Sequence, residues 1–138
     1  MDHTIKIKQL EKPAWDVIGG GITEYNTQMA GDDHGKNLCF VLEGSDGQVL
    51  GGVIGMTYWN WLYISLMWLP EDLRGQGYGE KLLEFAEEEG RKRGAQFSYL
   101  DTFSFQAPGF YKKFGYQEFG ILEDFPPGHT RYFMKKDL

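Results

Sequence analysis

The residues from Leu69 to Gly79 include a proline, an arginine and three glycines, at a point where the sequence pattern changes. An apolar run ends at Pro70, and a helix-forming pattern begins at Glu80. Glycines let the backbone turn with its N–H groups facing inward, and the first turn of a helix adds unpaired N–H donors and the positive end of the helix dipole. This arrangement predicts a turn that binds an anion such as a phosphate.

Two common phosphate-binding loops do not fit this turn. The G-x-G-x-x-G fingerprint of dinucleotide-binding domains would start at Gly75 and would need its last glycine at position 80, which is Glu80. The Gly-Lys-Ser/Thr sequence of a nucleoside-triphosphate loop is also missing here. The pattern present is Arg74-x-x-Gly77-x-Gly79. A nucleotide-binding domain is therefore disfavoured.

The composition predicts one globular domain over residues 1–138, because 41% of the residues are hydrophobic and 16% are aromatic. The net charge of −6 disfavours nucleic acid as a partner and slightly favours cationic substrates such as amines. No apolar run reaches the roughly 18 residues of a membrane span, and the N-terminus has no long apolar signal segment. We therefore expect a cytoplasmic protein that does not bind a membrane.

Metal and thiol chemistry have little support in the sequence. The single cysteine, Cys39, lies between two apolar residues, and we expect it to be a buried core residue rather than a nucleophile. No cysteine and histidine residues have the spacing of metal ligands, so no metal is expected. The run Glu87-Glu88-Glu89 is interpreted as a solvated helix face.

The first half of the chain predicts a strand, a helix and a three-stranded meander. Alternation of apolar and charged residues predicts a half-buried strand over residues 4–10, and apolar spacings of three and four predict a helix over 14–30. Gly19-Gly20-Gly21 is expected to interrupt that helix. A polar loop follows at 31–35. Strands are predicted over 37–43, 48–59 and 61–69, with glycines in the second strand where another backbone approaches closely or a bulge occurs.

The second half alternates helices and strands. A helix over residues 80–93 is expected to bury its apolar side chains and to end at Gly94. Its buried residues would be Leu82, Leu83, Phe85 and Ala86, and its ion pairs Glu87–Arg91, Glu88–Lys92 and Glu89–Arg93. A strand over 96–103 follows, parallel to the strand before the helix. A short helix over 108–114 and strands over 116–121 and 130–135 complete the chain.

Two segments together resemble the GNAT superfamily of N-acetyltransferases. The first is Arg74-x-x-Gly77-x-Gly79 at the start of a helix, and the second is the seven-residue segment from Phe110 to Tyr116, which is similar to the family's F-Y-x-x-x-G-F/Y. The order of elements also matches, so the likeness covers residues 5–136. It implies a mixed α+β fold with three layers, in which a mostly antiparallel sheet contains two splayed parallel strands and is flanked by helices.

The resemblance implies that acetyl-CoA binds between the splayed strands, over residues 61–69 and 96–103. Its pantetheine arm would pair with the backbone of Met67, Trp68 and Leu69, and an N–H of Trp68 or Leu69 would bind the thioester carbonyl. The pyrophosphate would be held by the turn formed by Arg74, Gly75, Gln76, Gly77, Tyr78 and Gly79. Ser104 stands where the family often has a cofactor-binding asparagine. Tyr111 matches the family's general acid, which protonates the leaving thiolate.

The implied reaction is direct transfer of the acetyl group to a primary amine of a small molecule or peptide, with no covalent enzyme intermediate. Glu24, Asp101 and His129 are the candidate substrate contacts. The general base is left open among Glu24, Glu43, Asp101, Glu123 and a chain of water molecules.

Other points also stay open. The amine, the use of longer acyl-CoAs and the oligomeric state are undecided, although a homodimer is expected from the resemblance. The alternative function is a non-catalytic acyl-CoA-binding or regulatory module on the same fold. A tyrosine at position 111 favours the enzyme, since a binding module has no need of an acid there.

Overall fold

The computed structural model describes residues 5–138, and contacts divide the chain into two units, Met1–Asp33 and His34–Leu138. Residues 5–10 of the first unit form no strand, and the Ile5 and Ile7 side chains are exposed. The predicted strand over 4–10 is therefore wrong for residues 5–10, while position 4 lies outside the described residues. Alternation describes side chains only, whereas a strand also needs a neighbouring strand for its backbone hydrogen bonds. A single domain over 1–138 stays a prediction.

The described part of the first unit, residues 5–33, contains one helix, α1 (Trp15–Ala30), which confirms the predicted helix. The helix is continuous through Gly19-Gly20-Gly21, so the predicted interruption is wrong. A glycine costs only about 1 kcal/mol relative to alanine in a helix, and here the ladder of hydrogen bonds runs through all three. Gly31 has a positive φ of 83° at the C-terminal end, where its N–H donates to the Thr27 carbonyl.

The second unit is built on a six-stranded mixed sheet with the order β1-β2-β3-β4-β6-β5. Its strands are β1 (Lys36–Glu43), β2 (Val49–Tyr58), β3 (Trp61–Trp68), β4 (Phe97–Phe103), β5 (Gln117–Glu123) and β6 (Thr130–Asp137). β3 and β4 run parallel, and the other neighbouring strands run antiparallel. The predicted meander, the parallel pair and the mixed α+β class are all confirmed.

Three glycines of β2 allow neighbouring backbone to approach closely, and a Cβ atom at Gly51, the first of them, would lie 2.7 Å from the Trp68 carbonyl oxygen of β3. A Cβ atom at Gly52 would collide with the Phe40 carbonyl oxygen of β1, and a Cβ at Gly55 would collide with the Tyr63 carbonyl oxygen of β3. The prediction of close backbone approach at these glycines is confirmed.

The helices of the second unit are α2 (Tyr78–Lys92) and α3 (Pro108–Lys113), with one 3₁₀ turn at Glu71–Leu73 before them. α2 packs against β1, β2 and β3. Leu82, Leu83 and Ala86 are buried as predicted. Phe85 is 59% exposed, so its predicted burial is wrong. Its ring instead lies at the margin of the helix face, 5.5 Å from the ring of Phe40.

The acidic run of α2 is only partly a solvated face. Glu87 is 4% exposed and pairs with Lys136 of β6 at 2.9 Å, so its predicted exposure and its predicted pair with Arg91 are both wrong. It lies one helical turn after Leu83, on the stripe that faces the core. The prediction followed the charge of the side chain rather than this position.

The ion pairs of the exposed face follow the prediction in part. Glu88 pairs with Arg91 at 3.5 Å rather than with Lys92, while the predicted pair of Glu89 with Arg93 is present at 2.9 Å. Gly94 follows the helix with a φ of 91°, as predicted for a helix-ending glycine.

Cys39 is exposed, so its predicted burial is wrong. Successive residues of β1 point to opposite faces of the sheet, and Leu38 takes the position that faces the core. The apolar neighbours of Cys39 did not indicate that its side chain lies on the exposed face of the sheet.

Candidate active site

The parallel strands β3 and β4 separate after a short stretch of pairing. They pair at three positions, Trp61↔Phe97, Leu62↔Ser98 and Tyr63↔Tyr99. Beyond these pairs β3 continues along β2, whereas β4 continues along β6. Within the described chain, no strand therefore pairs with residues 64–68 of β3 on the side that faces β4. An extended molecule with amide groups can bind such a free edge as an added strand.

A β-bulge accompanies the separation. Gly55 of β2 lies opposite Ile64, but Ile54 lies opposite Leu66, so Ser65 is an extra residue in β3. A bulge bends its strand and increases the local twist, which directs β3 away from β4. The sequence analysis noted glycines in β2 but gave no signal that placed the extra residue at Ser65.

The gap between the two strands is a cleft of about 440 Å³. Residues 64–69 line one wall, and residues 100–103 line the other together with Phe105, Gln106 and Ala107. Six predicted site residues line this cleft, namely Met67, Trp68, Leu69, Arg74, Asp101 and Tyr111. The cleft thus brings together residues of all three predicted roles, which are cofactor binding, proton donation and substrate contact.

The glycine turn opens onto the N-terminus of α2. Gly75 and Gly77 have positive φ values of 76° and 87°, which glycine adopts without strain. A Cβ atom on either would meet no atom within 4 Å, so the space in front of the turn is open. The N–H of Lys81 reaches the Gly77 carbonyl at 3.2 Å, and the N–H groups before it in the helix have no intrahelical acceptor. These features suit an anion.

Arg74 and Gln76 hold the turn in shape. Arg74 Nε donates to the Leu69 carbonyl at 2.9 Å, and Gln76 Nε2 donates to the Asp72 carbonyl at 2.7 Å. Arg74 therefore joins the residue after β3 to the glycine turn, and it is one of the residues that line the cleft. A cation in this position attracts the same anion as the N–H groups of the turn.

Gly79 brings α3 against the start of α2. A Cβ atom there would lie 3.2 Å from the ring of Phe110, which is tighter than ordinary packing. The glycine thus lets Phe110 sit on the first turn of α2. Tyr111, the next residue, consequently lies beside the cleft.

Tyr111 is held in an aromatic cluster on α3. Its ring makes edge contacts with Phe110 and Tyr116, at centroid distances of 5.2 and 6.0 Å. Only 9% of the residue is exposed, and burial raises the pKa of Tyr111 to about 12. Because burial disfavours the phenolate, the hydroxyl keeps its proton at neutral pH and is available as a hydrogen-bond donor.

Ser104 and His129 lie together at the end of β4. The Ser104 hydroxyl accepts a hydrogen bond from the Thr130 N–H at 3.1 Å and lies 3.5 Å from His129 Nδ1. The His129 ring also makes an edge contact with the ring of Phe105, at 4.9 Å. Neither Ser104 nor His129 is among the residues that line the cleft. Ser104 here joins the end of β4 to the start of β6.

Gln106 lines the cleft in a position the sequence analysis missed. Its Oε1 accepts hydrogen bonds from the Phe103 N–H at 2.9 Å and from the Thr102 hydroxyl at 3.3 Å. It therefore closes the turn that ends β4. A glutamine in a loop carries no distinctive signal, so the sequence alone did not identify it.

Asp101 brings a carboxylate to the cleft wall. Arg131 of β6 donates to its Oδ1 from Nε at 2.9 Å and contacts the same oxygen from Nη2 at 2.8 Å. The guanidinium lies 5.1 to 5.4 Å from the rings of Phe103, Phe125 and Phe133. Both contacts fall on Oδ1, so neither nitrogen of Arg131 occupies Oδ2. The sequence missed Arg131, because its pairing with Asp101 spans 30 residues.

The other candidate bases lie at the ends of strands or on the first unit. Glu43 ends β1 and Glu123 ends β5. Glu24 lies on α1 and is exposed. Of the second unit's three candidates, Asp101 is the one that lines the cleft.

Residues 5–138 contain neither a candidate metal site nor a helix that could span a membrane. No group of three or more histidine, cysteine, aspartate or glutamate side chains is arranged to hold a metal ion. In the same part of the chain, no helix is both long enough and apolar enough to cross a membrane.

Comparison with known proteins gives consistent matches. A family model described as the acetyltransferase (GNAT) family matches residues 5–116, a region that includes the glycine turn and Tyr111. The chain is 36% identical over 120 residues to an acetyltransferase of Agrobacterium fabrum, covering 87% of this chain and 88% of the relative. It is 38% identical over 96 residues to a blasticidin-S acetyltransferase of Streptomyces morookaense, covering 69% and 71%. The crystal structure of a Bacillus cereus acetyltransferase superposes with a TM-score of 0.87 at 35% identity, covering 95% and 98%.

The raised pKa of Tyr111 can be measured by following tyrosinate absorbance with pH. Subtracting the titration of a Tyr111→Phe variant from that of the wild type isolates this one side chain. We expect a midpoint of about 12, because burial disfavours the phenolate. A midpoint near the ordinary value of 10.0 would show that the hydroxyl is well solvated and would contradict its burial.

Proposed function

Since the chain belongs to the GNAT acetyltransferase family and is an acetyl-CoA-dependent acyltransferase, we propose that it acetylates a primary amine of a small cationic molecule. The observation that carries the proposal is the composition of one cleft. The free edge of β3, the cationic Arg74, the acidic Asp101 and Tyr111, which burial keeps protonated, all line it. Acetyl transfer to an amine needs a donor site, an acid and an acceptor site within reach of one another.

The donor site fits the three chemically distinct parts of acetyl-CoA. The amides of the pantetheine arm pair with the unpaired backbone of residues 64–68, as an added strand would. The pyrophosphate binds the N–H groups of residues 75–79, with the Arg74 guanidinium beside it. The acetyl group then lies toward Tyr111, between the ends of β3 and β4.

The reaction proceeds by direct attack. The amine nitrogen forms a bond to the thioester carbon, an N–H of Trp68 or Leu69 stabilises the charge that develops on the carbonyl oxygen, and the carbon–sulfur bond breaks. The Tyr111 hydroxyl gives its proton to the departing thiolate. The nitrogen loses its extra proton to Asp101 or to water, and no bond forms between the acetyl group and the protein.

The acceptor site favours a cationic, partly flat molecule. Asp101 is paired with Arg131 through Oδ1, so its Oδ2 is the carboxylate oxygen available to a cation, and the chain as a whole has a net charge of −6. The rings of Phe103 and Phe105 stack at 5.3 Å with an angle of 7° between them, and both line the cleft. The relative named for blasticidin-S, a small molecule, supports a small-molecule acceptor rather than a protein.

A charge reversal at the glycine turn tests the donor site. Gly77→Glu should weaken acetyl-CoA binding at least about tenfold, because it places a carboxylate against the phosphates. Gly77→Asn is the matched control, since asparagine tolerates the positive φ and adds no charge. Isothermal calorimetry should show a much smaller loss for asparagine. If the glutamate variant bound acetyl-CoA as tightly as the wild type, the pyrophosphate would not bind at this turn.

Removal of one hydroxyl tests the acid. Tyr111→Phe should lower kcat by about 100-fold and leave the KM for acetyl-CoA nearly unchanged, because the ring is kept and the proton donor is lost. Thiol release with a panel of amines gives the measurement. Tyr132→Phe, which removes a hydroxyl from β6 outside the cleft lining, is the control and should retain activity. A fully active Tyr111→Phe variant would exclude Tyr111 as the acid.

Neutralisation of one carboxylate tests the acceptor site. Asp101→Asn should raise the KM for a dicationic amine by about tenfold, since a charge-assisted contact is lost. The KM for acetyl-CoA should be unchanged, and an amine without a second positive charge should be affected less. Glu123→Gln, at the exposed end of β5, serves as the control. An unchanged KM for every amine would remove Asp101 from acceptor recognition.

A further inference from the structure

Glu87 of α2 is a buried carboxylate that is not among the residues that line the cleft. Glu87 accepts hydrogen bonds from Lys136 Nζ at 2.9 and 3.1 Å, one to each of its oxygens. The Tyr116 hydroxyl lies 2.9 Å from Oε2 of Glu87 and 2.8 Å from the hydroxyl of Ser98. A phenol has a single proton, so Tyr116 donates to the carboxylate and accepts from Ser98. Glu87, Ser98 and Tyr116 are each at most 4% exposed.

These four side chains come from four different parts of the fold. Glu87 lies on α2, Ser98 on β4, Tyr116 directly after α3, and Lys136 on β6. One carboxylate therefore fixes the position of a helix, two strands and the segment that follows a second helix. We call this group the Glu87 cluster.

The Glu87 cluster is connected to Tyr111 through Tyr116. The Tyr116 N–H donates to the Tyr111 carbonyl at 3.0 Å, and the two rings meet edge to face at 6.0 Å. Gly115, with a φ of 97°, provides the reversal that brings the two residues together. A shift of the Tyr116 ring would therefore shift the backbone and the ring of Tyr111.

The same cluster is connected to the glycine turn through α2. Glu87 lies ten residues after Gly77 in the chain, and Gly77 is the N-cap of that helix. A helix is a rigid connection over this length, about 15 Å at 1.5 Å per residue. The cluster thus fixes the distance between the start of α2 and the residues around Tyr111.

Stability alone does not account for such a cluster. A buried ion pair is weak evidence for stability, because apolar residues of similar size often do as well or better. A phenyl ring at position 116 would fill the same space and keep the edge contact with Tyr111. The hydrogen bond from the Tyr116 hydroxyl to the Glu87 carboxylate fixes the orientation and position of the Tyr116 ring. The acid that this ring contacts, Tyr111, needs a fixed orientation and position to act.

We propose that Tyr116 and Glu87 are positioning residues, which hold the Tyr111 hydroxyl at the correct distance from the glycine turn and hence from the sulfur of acetyl-CoA. This inference rests on the proposed role of Tyr111 as the acid. Lys136 and Ser98 keep the Glu87–Tyr116 hydrogen bond in place by binding its two ends.

A double-mutant cycle with Tyr111→Phe and Tyr116→Phe tests the inference. Tyr116→Phe should lower kcat about tenfold, because a small misplacement of a catalytic group is costly, and should leave the KM for acetyl-CoA within about twofold. In the Tyr111→Phe background, Tyr116→Phe should not lower kcat any further, because no acid remains to be positioned. Glu88→Gln, an exposed neighbour on the same helix, is the control and should behave as the wild type.

The results distinguish a failure of the proposed acid, Tyr111, from a failure of the proposed positioning role of Tyr116 and Glu87. Full activity of Tyr111→Phe would overturn the proposed acid itself. A slow Tyr111→Phe variant together with an equal loss from Tyr116→Phe in both backgrounds would mean a general structural defect and would overturn the positioning role. No loss from Tyr116→Phe would overturn it as well. If Tyr116→Phe folds poorly, Ser98→Ala can be used instead, because it removes only the hydroxyl that binds Tyr116. Ser98→Ala should lower kcat when Tyr111 is present and should have no further effect in the Tyr111→Phe background. Equal losses of kcat in both backgrounds would overturn the inference.

Discussion

The parting of β3 from β4 after Tyr63 is the constraint on which the rest of the structure depends. Buried backbone N–H and C=O groups need partners, and in a regular sheet residues 64–68 would find them on β4. Here β3 and β4 stop pairing after Tyr63 and Tyr99, while β4 continues along β6 on its other edge, so the inner edge of β3 is left for a ligand. The bulge at Ser65 supplies the bend, and close backbone approach at Gly55 keeps β3 attached to β2 while it bends.

The chemistry then requires little beyond correct placement. An amine and a thioester react once they are held together, with a donor for the carbonyl oxygen and an acid for the thiolate. Gly79 lets Phe110 pack on the start of α2, which brings Tyr111 to the cleft beside the anion site. The buried hydrogen bond between Glu87 and Tyr116 secures this arrangement from the core side. Cofactor binding and proton donation thus depend on one packed unit.

Local sequence patterns predicted much of the fold and of the candidate site. They did not predict the contacts between residues that are far apart in the sequence. The meander, the parallel pair and the glycine turn each follow from a few neighbouring residues. The predicted exposure of Glu87 was wrong because the prediction was based on its charge, although its spacing from Leu83 placed it on the stripe that faces the core. The pair of Arg131 with Asp101 and the bulge at Ser65 depend on strand register, which one sequence without its fold does not specify.

Acetyl-CoA is proposed to occupy the gap between β3 and β4, and a crystal structure of the complex with coenzyme A would show its position. We expect the pantetheine amides to pair with residues 64–68, the pyrophosphate to contact the N–H groups of residues 75–79, and the sulfur to lie within hydrogen-bond reach of the Tyr111 hydroxyl. Coenzyme A bound elsewhere, with the edge of β3 still unpaired, would contradict the account.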